Sequence, residues 1–315
     1  MKKRGARLGV VVLAAFCLAA AAAPLLPLRD PAAQPDGLVL RSLAPGTRVP
    51  AVRLRSGELR YAHEVRALPD GTRSLRRGES WTTIAAADLD PAHPDARPLF
   101  FLGTDAYGRD LASRLVWGAR VSLAAGILAA AMAVLLGGAV GLAAGLGGPI
   151  VDEALMRLTD AALAVPRLFL LVLLAALFRP SLATIVVLIG LTTWMPAARL
   201  VRAEAKAVRA REFVLSARAL GASPLAIALR HVLPHATAVL GVEAALRLGQ
   251  SVLLEASLSF LGLGVPPPLA SWGSLIADGR DRILDAWWIA TWPGLAIVLV
   301  VVAASLIADG VRESF

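Results

Sequence analysis

The sequence is poor in two residue types, and each shortage excludes something. Its 315 residues include one cysteine, Cys17, so no disulfide can form within the chain. Lysine occurs only at positions 2, 3 and 206, and none of the three completes a G-x4-G-K-[ST] phosphate-binding loop. The chain therefore cannot bind ATP by that device, and any ATP-driven process would need a separate partner.

Groups that bind metals or act as nucleophiles are also scarce. The chain has four histidines, and only His231 and His235 lie four residues apart. Pro234 stands between them and is expected to break the helix that would align them, and no further ligand is adjacent. The sequence contains no H-E-x-x-H motif and no nucleophile elbow. We predict no catalytic residue, no metal site and no cofactor.

Hydropathy, by contrast, is high. Hydrophobic residues make up 57% of the chain and its mean hydropathy is +0.68, which is more apolar surface than one soluble core needs. The formal net charge of +9 comes almost wholly from arginine, and the basic residues are concentrated in a few segments, a pattern that indicates membrane orientation. We predict an all-α membrane protein that contacts the lipid bilayer and binds no nucleic acid.

Six apolar stretches predict membrane spans. They cover residues 8–28, 121–146, 168–178, 182–198, 236–263 and 286–308. The first has no charge and follows four basic residues, so we interpret it as an anchor. A cleaved signal peptide is the alternative, because this stretch ends in small residues.

A long polar insert separates the first span from the second. Residues 29–114 contain 13 Arg and 11 Asp or Glu, so their net charge is close to zero and they read as a solvated region. Residues 48–54 and 59–66 look like strands around a Ser-Gly turn, and a second turn precedes 74–77. We predict a small β meander in this insert.

The only long polar stretch between apolar blocks in the second half covers residues 199–235. Residues 204–220 are good helix formers, and Gly221 follows them where a helix end commonly needs a left-handed residue. Ser223 is expected to cap a second helix, which Pro234 is expected to end.

The first of these two helices carries an apolar stripe. Phe213, Ala217 and Leu220 fall at i, i+4 and i+7, beside several arginines. This pattern is typical of an element that docks against another protein.

The same stretch resembles the cytoplasmic coupling loop of binding-protein-dependent ABC importer permeases, which reads E-A-A-x3-G-x9-I-x-L-P. Gly221 and the pair at 233–234 match that pattern, whereas residues 215–217 read Leu-Ser-Ala and His231 replaces the Ile. The resemblance assigns coupling to an ATPase to nine residues. These are Leu215, Ser216, Ala217, Ala219, Leu220, Gly221, Ala222, Leu233 and Pro234.

Three further motifs extend the resemblance. They are G-T-D-A-Y-G-R-D at 103–110 with Ser113-Arg114, E-A-S-L-S-F-L-G-L-G at 255–264, and S-W-G at 271–273. Together they are similar to the second permease subunit of dipeptide, oligopeptide and nickel importers. The resemblance covers about residues 99–312.

This resemblance implies the six-helix fold of type I ABC importer permeases. It also implies a companion permease that forms a heterodimer with this chain, two ATP-binding subunits and an extracytoplasmic substrate-binding protein. Hydrolysis would then take place on the separate ATPase chains. The expected substrate is a di- or oligopeptide, with nickel as a second option, since specificity rests largely with the binding protein.

Charged residues within the predicted fifth span need partners, because charge at membrane depth is costly. Glu243 and Arg247 are four residues apart, so we predict an ion pair, with a substrate contact as the alternative. Glu255 has no such partner within its helix turn. A role for Glu255, Ser257 and Ser259 in the pathway or at a subunit interface stands open beside a structural one.

Basic residues set the expected orientation. The first seven residues and the loop at 199–235 are both rich in Lys and Arg, which places both in the cytoplasm and requires an even number of spans between them. We predict a multi-pass protein of the bacterial cytoplasmic (inner) membrane with both termini cytoplasmic. Residues 1–28 would form the tail and first span, 29–114 the extracytoplasmic insert and 115–312 the permease domain.

Two other functions fit the sequence less well. A self-contained secondary transporter would need inverted repeats or broken helices with ionisable groups at mid-membrane, and only Glu255 hints at these. It would also leave the loop at 199–235 unexplained. A membrane anchor for the β region is disfavoured, because one span would suffice for it.

Overall fold

The computed structural model describes residues 2–313, and most of them are helical. Eleven α-helices occur in this part of the chain. They are α1 Lys2–Ala22, α2 Leu111–Leu146, α3 Pro149–Ala164, α4 Arg167–Leu177, α5 Leu182–Thr193, α6 Met195–Arg209, α7 Glu212–Ala219, α8 Pro224–Ile227, α9 Leu233–Phe260, α10 Trp272–Gly279 and α11 Trp288–Arg312.

Four helical segments are long and apolar enough to cross a membrane. They contain α1, α2, α9 together with the short elements before it, and α11. Two further pairs reach that length only when each bent pair is taken as one span: α3 with α4, bent by 84°, and α5 with α6, bent by 44°. The structure therefore has between four and six candidate spans.

Several helix boundaries differ from the predicted ones. The first helix ends at Ala22, six residues before the predicted end of the first span. α2 begins ten residues earlier than predicted, because the side chain of Asp110 caps it by accepting the Ser113 N–H at 2.8 Å. Residues 149–164, which lie outside the predicted spans, form the amphipathic helix α3.

α2 and α6 pack backbone to backbone. Gly137, Gly141 and Gly145 recur every four residues on the α2 face that meets α6, a spacing that allows close helix packing. A Cβ at Gly137 would lie 2.5 Å from the Trp194 carbonyl oxygen, and one at Gly141 would lie 2.6 Å from the Ala198 carbonyl oxygen. No larger residue fits these positions without separating the two helices.

The insert contains eight short strands in three antiparallel sheets. The strands are β1 Thr47–Arg48, β2 Ala51–Arg53, β3 Leu59–Tyr61, β4 Glu64–Ala67, β5 Arg73–Arg77, β6 Ser80–Ile84, β7 Asp95–Ala96 and β8 Leu99–Phe100. The sheets have the orders β1-β8, β3-β2-β7 and β4-β5-β6.

The strand predicted over 59–66 is divided in two, because the chain changes sheets there. The Ala62 N–H donates to the Pro50 carbonyl, whereas the His63 N–H donates to the Arg76 carbonyl. β3 therefore pairs with β2, and β4 pairs with β5. Leu75 and Val52 lie in one buried cluster that joins the two sheets.

Candidate functional site

The loop between α6 and α9 is built from short elements. The single helix predicted over 204–220 is wrong, since α6 ends at Arg209 and α7 starts at Glu212. The break has a packing reason: Val208 before it and Val214 after it are both fully buried in one apolar cluster. The chain must turn between them for both side chains to reach it.

That cluster holds α7 and α8 against the ends of longer helices. Its buried members are Ala205, Val208, Val214, Ile227 and Val232, with Leu142, Leu146 and Ala222 packed around them. α7 is therefore anchored on one face by apolar burial, although it has only eight residues.

Gly221 ends α7 in the left-handed conformation that the sequence predicted. Its φ is +86°, and the Ala222 N–H beyond it donates to the Ala217 carbonyl at 3.0 Å. Ser223 then caps α8 by accepting the Ala226 N–H at 3.2 Å, which confirms the predicted cap.

Pro234 does not end a helix, and that prediction is wrong. A π-helical turn at Ala228–Val232 leads directly into α9, whose first turn contains this proline. The proline is tolerated because it directly follows the π-helical turn, where the Leu233 N–H bonds to the Ala228 carbonyl and the regular four-residue hydrogen-bond pattern is already interrupted.

His231 and His235 consequently lie on one continuous helical course. The Phe213 ring lies 5.8 Å from each imidazole, measured between ring centroids. Among residues 2–313, no group of three or more His, Cys, Asp or Glu side chains is arranged to hold a metal ion.

The nine residues assigned to coupling fall into two groups by exposure. The outward group is Leu215, Ser216, Ala219, Leu220, Gly221 and Pro234. The partly buried group is Ala217, Ala222 and Leu233. Leu220 at the tip of the loop is 89% exposed and Leu215 is 53% exposed, so large apolar side chains face away from the chain.

Ion pairs connect the loop-bearing helix to its neighbour. Asp152 of α3 accepts hydrogen bonds from Arg202 and Lys206 of α6. Arg218 on α7, in contrast, forms no ion pair within the described part of the chain. The loop thus presents exposed leucines beside unpaired positive charge.

The second polar group of interest surrounds Glu255, at the opposite end of α9. Its carboxylate accepts hydrogen bonds from the Ser122 hydroxyl of α2 at 2.8 Å and from the Ser259 hydroxyl at 2.6 Å. Among the described residues Glu255 forms no ion pair within its helix, and Ser259, one turn further on, supplies a hydrogen-bond donor instead. Ser257 is not part of this group, since its hydroxyl donates to the Leu253 carbonyl.

α10 completes the group. The Ser271 hydroxyl donates to Ser259 at 3.1 Å, and the Trp272 N–H donates to the Ser122 hydroxyl at 3.0 Å. Glu255 and Trp272 have no exposed surface. We call Ser122, Glu255, Ser259, Ser271 and Trp272 the outer cluster. Sequence reasoning missed Ser122, which lies 133 positions from Glu255.

A second set of ion pairs holds α10 in place. Asp278 of α10 accepts from Arg109 at 2.9 Å and from Arg114 at 2.8 Å, and both arginines also bind Asp105. Three of these four residues belong to the motif at 103–114. Asp278 was missed, because no local pattern connects it to a motif 164 positions away.

The predicted ion pair between Glu243 and Arg247 is confirmed. The Arg247 Nε donates to the Glu243 carboxylate at 2.9 Å, and another guanidinium nitrogen donates to Gln250. Both charged residues are at most 9% exposed. Each side chain therefore neutralises the other, which would otherwise be an unpaired charge inside the helix bundle.

Comparison with known proteins identifies the family. The family model described as "Binding-protein-dependent transport system inner membrane component" matches residues 134–315, more than half of the chain. A chain of Brucella suis biovar 1 whose name contains the words "peptide transport system permease protein" is 43% identical over 211 residues, which are 67% of this chain and 71% of that one.

Two further similarities were found. The "Di/tripeptide transport system permease protein DppC" of Pseudomonas aeruginosa (strain UCBPP-PA14) is 40% identical over 215 residues, which cover 68% of this chain and 71% of that one. A solved structure of the inward-facing MetNI methionine ABC transporter gives a TM-score of 0.48 at 20% identity, covering 64% of this chain and 96% of that one.

The family match and the two permease relatives decide between an ABC importer permease and a self-contained secondary transporter. Permeases of this family are the membrane component of ABC importers, and ATP hydrolysis is carried out by separate subunits. The self-contained secondary transporter is thereby set aside, although broken helices, which it would need, do occur in the structure. The chain belongs to the family of binding-protein-dependent transport system inner membrane components.

Proposed function

We propose that this permease imports di- or oligopeptides and that the loop at 199–235 couples it to an ATPase partner. The peptide substrate is supported by the names of relatives that are 40% and 43% identical to this chain. None of those names mentions nickel, so the peptide is preferred over the metal.

One observation carries the coupling assignment: an exposed apolar tip on an anchored helix. Leu220 projects from α7 with 89% of its surface exposed, while Val214 on the same helix is buried against α6. An apolar tip in water is unfavourable, and a rigid one is suited to insertion in a groove. The arginines beside it favour a groove with an acidic rim.

The proposed cycle follows from this arrangement. ATP binding draws the two ATPases together, and each ATPase moves the permease loop seated in its groove. Because the apolar cluster fixes α7 to α6, the loop transfers that movement to the membrane helices. The binding protein delivers its peptide on the opposite side of the membrane when the path opens there.

The proposed topology has six spans, with the two bent helix pairs each crossing the membrane once. Both termini and the loop at 199–235 lie in the cytoplasm, and the insert at 29–114 lies outside. Residues 115–312 then form the permease domain, which pairs with a companion permease of the same fold. Two ATP-binding subunits and an extracytoplasmic substrate-binding protein complete the importer.

The test uses two leucines of similar exposure at opposite ends of the molecule. Leu220 is 89% exposed and Leu284, between α10 and α11, is 93% exposed. In a background with Cys17→Ala, we expect Leu220→Cys to react with an impermeant maleimide only in inside-out vesicles and to cross-link to the ATPase. Leu284→Cys should react only from the outside of intact cells and should give no such cross-link.

Two results would contradict the proposal. Labelling of position 220 from outside would reverse the topology. Labelling from inside without a cross-link, in membranes where the importer is active, would move the coupling surface to another part of the chain.

A further inference from the structure

Arg167, in the membrane-spanning part of the structure, has no partner among the described residues. Arg167 is the first residue of α4, directly after the 84° bend that separates α3 from α4. It is partly buried, and it makes no hydrogen bond and no ion pair within the described chain. The bend at Val165 and Pro166 therefore places a positive charge among apolar helices.

Helix lengths put this charge near the middle of the apolar layer. α4 has 11 residues, so Arg167 lies roughly 16 Å from the reversal at residues 179–181, about half of the hydrocarbon thickness. Arg247 lies halfway along the 28 residues of α9 and is close enough for its charge to act on Arg167. Arg247 thus adds a second positive charge at a similar position along its helix.

Only one of the two cations is neutralised. Arg247 is bound by Glu243 and Gln250, as described above. Arg167 has no such neighbours in the described residues, and the positive charge of Arg247 opposes it. A charge retained at this depth without a partner needs an anion from outside the chain, since burial of an isolated cation is costly.

The surroundings of Arg167 show what kind of anion fits. A cleft of about 220 Å³ opens beside it and is lined by Leu163, Leu170 and Met195, with the Thr192 side chain at its edge. The Thr192 hydroxyl already donates to the Leu188 carbonyl at 2.8 Å. The cleft therefore combines one available guanidinium with mostly apolar walls. These walls offer few hydrogen-bonding groups that could select one polar side chain over another.

We infer that Arg167 binds the C-terminal carboxylate of a peptide as it crosses the membrane. This inference rests on the proposed peptide substrate. A guanidinium can donate two parallel hydrogen bonds to a carboxylate, and a carboxylate is present at the end of every unmodified peptide. The apolar walls accommodate differing side chains, so the site recognises the terminus without selecting the sequence.

A carboxylate of the companion permease is the competing partner for Arg167. The two possible partners of Arg167 predict different results. If Arg167 binds substrate, its loss slows transport only of peptides with a free carboxylate. If it binds the companion permease, its loss weakens assembly and slows transport of every substrate. The experiment therefore compares two probes, a dipeptide and its C-terminal amide. Both are supplied above the concentrations that saturate the binding protein, so that its own preference does not enter.

The complete importer in proteoliposomes is compared as wild type, Arg167→Gln, Arg167→Lys and a control, Arg179→Gln. Arg179 also belongs to the α4–α5 hairpin and lacks an ion pair in the described chain, but it lies at the reversal. We expect Arg167→Gln to slow uptake of the free-acid dipeptide about tenfold while leaving the amide within about twofold of wild type. Arg167→Lys should recover part of the loss, and Arg179→Gln should change neither rate.

Equal slowing of both peptides by Arg167→Gln would overturn the inference. Loss of the companion permease on purification of that variant would assign Arg167 to the subunit interface and would overturn it as well. Unchanged uptake of both probes would also do so. If wild type transports neither peptide although ATP hydrolysis is stimulated by the binding protein, the proposed peptide substrate itself is wrong.

Discussion

The two ends of α9 differ in whether the chain itself supplies partners for their side chains. At one end the outer cluster buries a carboxylate, three hydroxyls and an indole, and the chain itself supplies the partners of Glu255. At the other end the loop at 199–235 leaves Leu215 and Leu220 exposed and Arg218 without an ion pair in the described residues. The polar groups of the first end find their partners within the subunit, whereas the second end leaves large apolar side chains exposed.

This difference separates stability from coupling. Substitutions in the outer cluster should lower the stability of the permease, because buried polar groups lose their partners. Substitutions on the exposed face of the loop should leave stability nearly unchanged and lower transport. Three experiments test that division, and a fourth addresses the insert.

The largest effect is expected at Glu255. Glu255→Ala leaves the hydroxyls of Ser122 and Ser259 without their buried acceptor and opens a cavity, so we expect a loss of about 3 kcal/mol. The measurement is thermal unfolding of the purified permease complex. Glu153→Ala is the control, because Glu153 is exposed and its ion pair with Arg157 contributes less than about 1 kcal/mol. Equal losses of thermal stability in the two variants would show that the buried hydrogen bonds of Glu255 contribute no more than an exposed ion pair.

Gly273 gives the second test, since it lies at the contact of α10 with α9. A Cβ there would lie 2.5 Å from the Ala256 carbonyl oxygen and 2.8 Å from the Ser259 Cβ. We expect Gly273→Ala to destabilise the complex by about 1–3 kcal/mol through overpacking. Retention of full thermal stability would show that α10 can move away from α9 at little cost.

The same substitution in the loop should behave differently. At Gly221 a Cβ meets no atom within 4 Å, but the φ of +86° makes Gly221→Ala unfavourable by ~1 kcal/mol. That strain is local, so transport should fall by about fivefold while the unfolding temperature stays near that of wild type.

Gly148→Ala is its matched control. Gly148 lies on the neighbouring turn, has equally open surroundings and has an ordinary φ of −74°. Transport by this variant should equal that of wild type. A similar loss in both variants would point to crowding of the ATPase rather than to helix termination.

The smallest effect is expected in the insert. The hydrogen bonds from Arg73 hold the pKa of Asp95 below its usual value, and the pair links β5 to β7. Because the pKa of Asp95 is lowered by folding, the pair stabilises the insert above about pH 4, and this contribution is lost as the pH falls further. Asp95 is mostly exposed, so less than about 1 kcal/mol is involved.

Amide hydrogen exchange in β2 and β5, corrected for intrinsic rates, measures this contribution. Asp95→Asn should raise exchange slightly at pH 6 and have no added effect at pH 3. Asp88→Asn serves as the control, because Asp88 is exposed and its side chain makes no ion pair in the described chain. A larger effect at pH 3 than at pH 6 would contradict the assignment.

Features that depend on neighbouring positions were predicted well. Gly221 as a helix end, Ser223 as a cap, and the pair of Glu243 with Arg247 each involve residues within five positions of one another. Their geometry is set by local backbone rules, so a single sequence contains the required information.

Features that depend on packing were missed. The break between α6 and α7 follows from the shared burial of Val208 and Val214, and no residue at 210–211 signals it. The hydroxyl that binds Glu255 comes from α2, far away in the sequence. The sequence predicted that Pro234 ends a helix, whereas the helix continues through it. The continuation depends on the π-helical turn before Pro234, which sequence periodicity does not reveal.

The three glycines on the α2 face that meets α6 have a mechanical consequence. Where Gly137, Gly141 and Gly145 lie against the α6 backbone, no flexible side chain is available to absorb a displacement. A force applied at the loop should therefore move α2 and α6 together, as one rigid unit. α5 and α6 meet at a bend of 44°, and the chain can change its angle there. α5 should therefore follow the movement of α6 only in part.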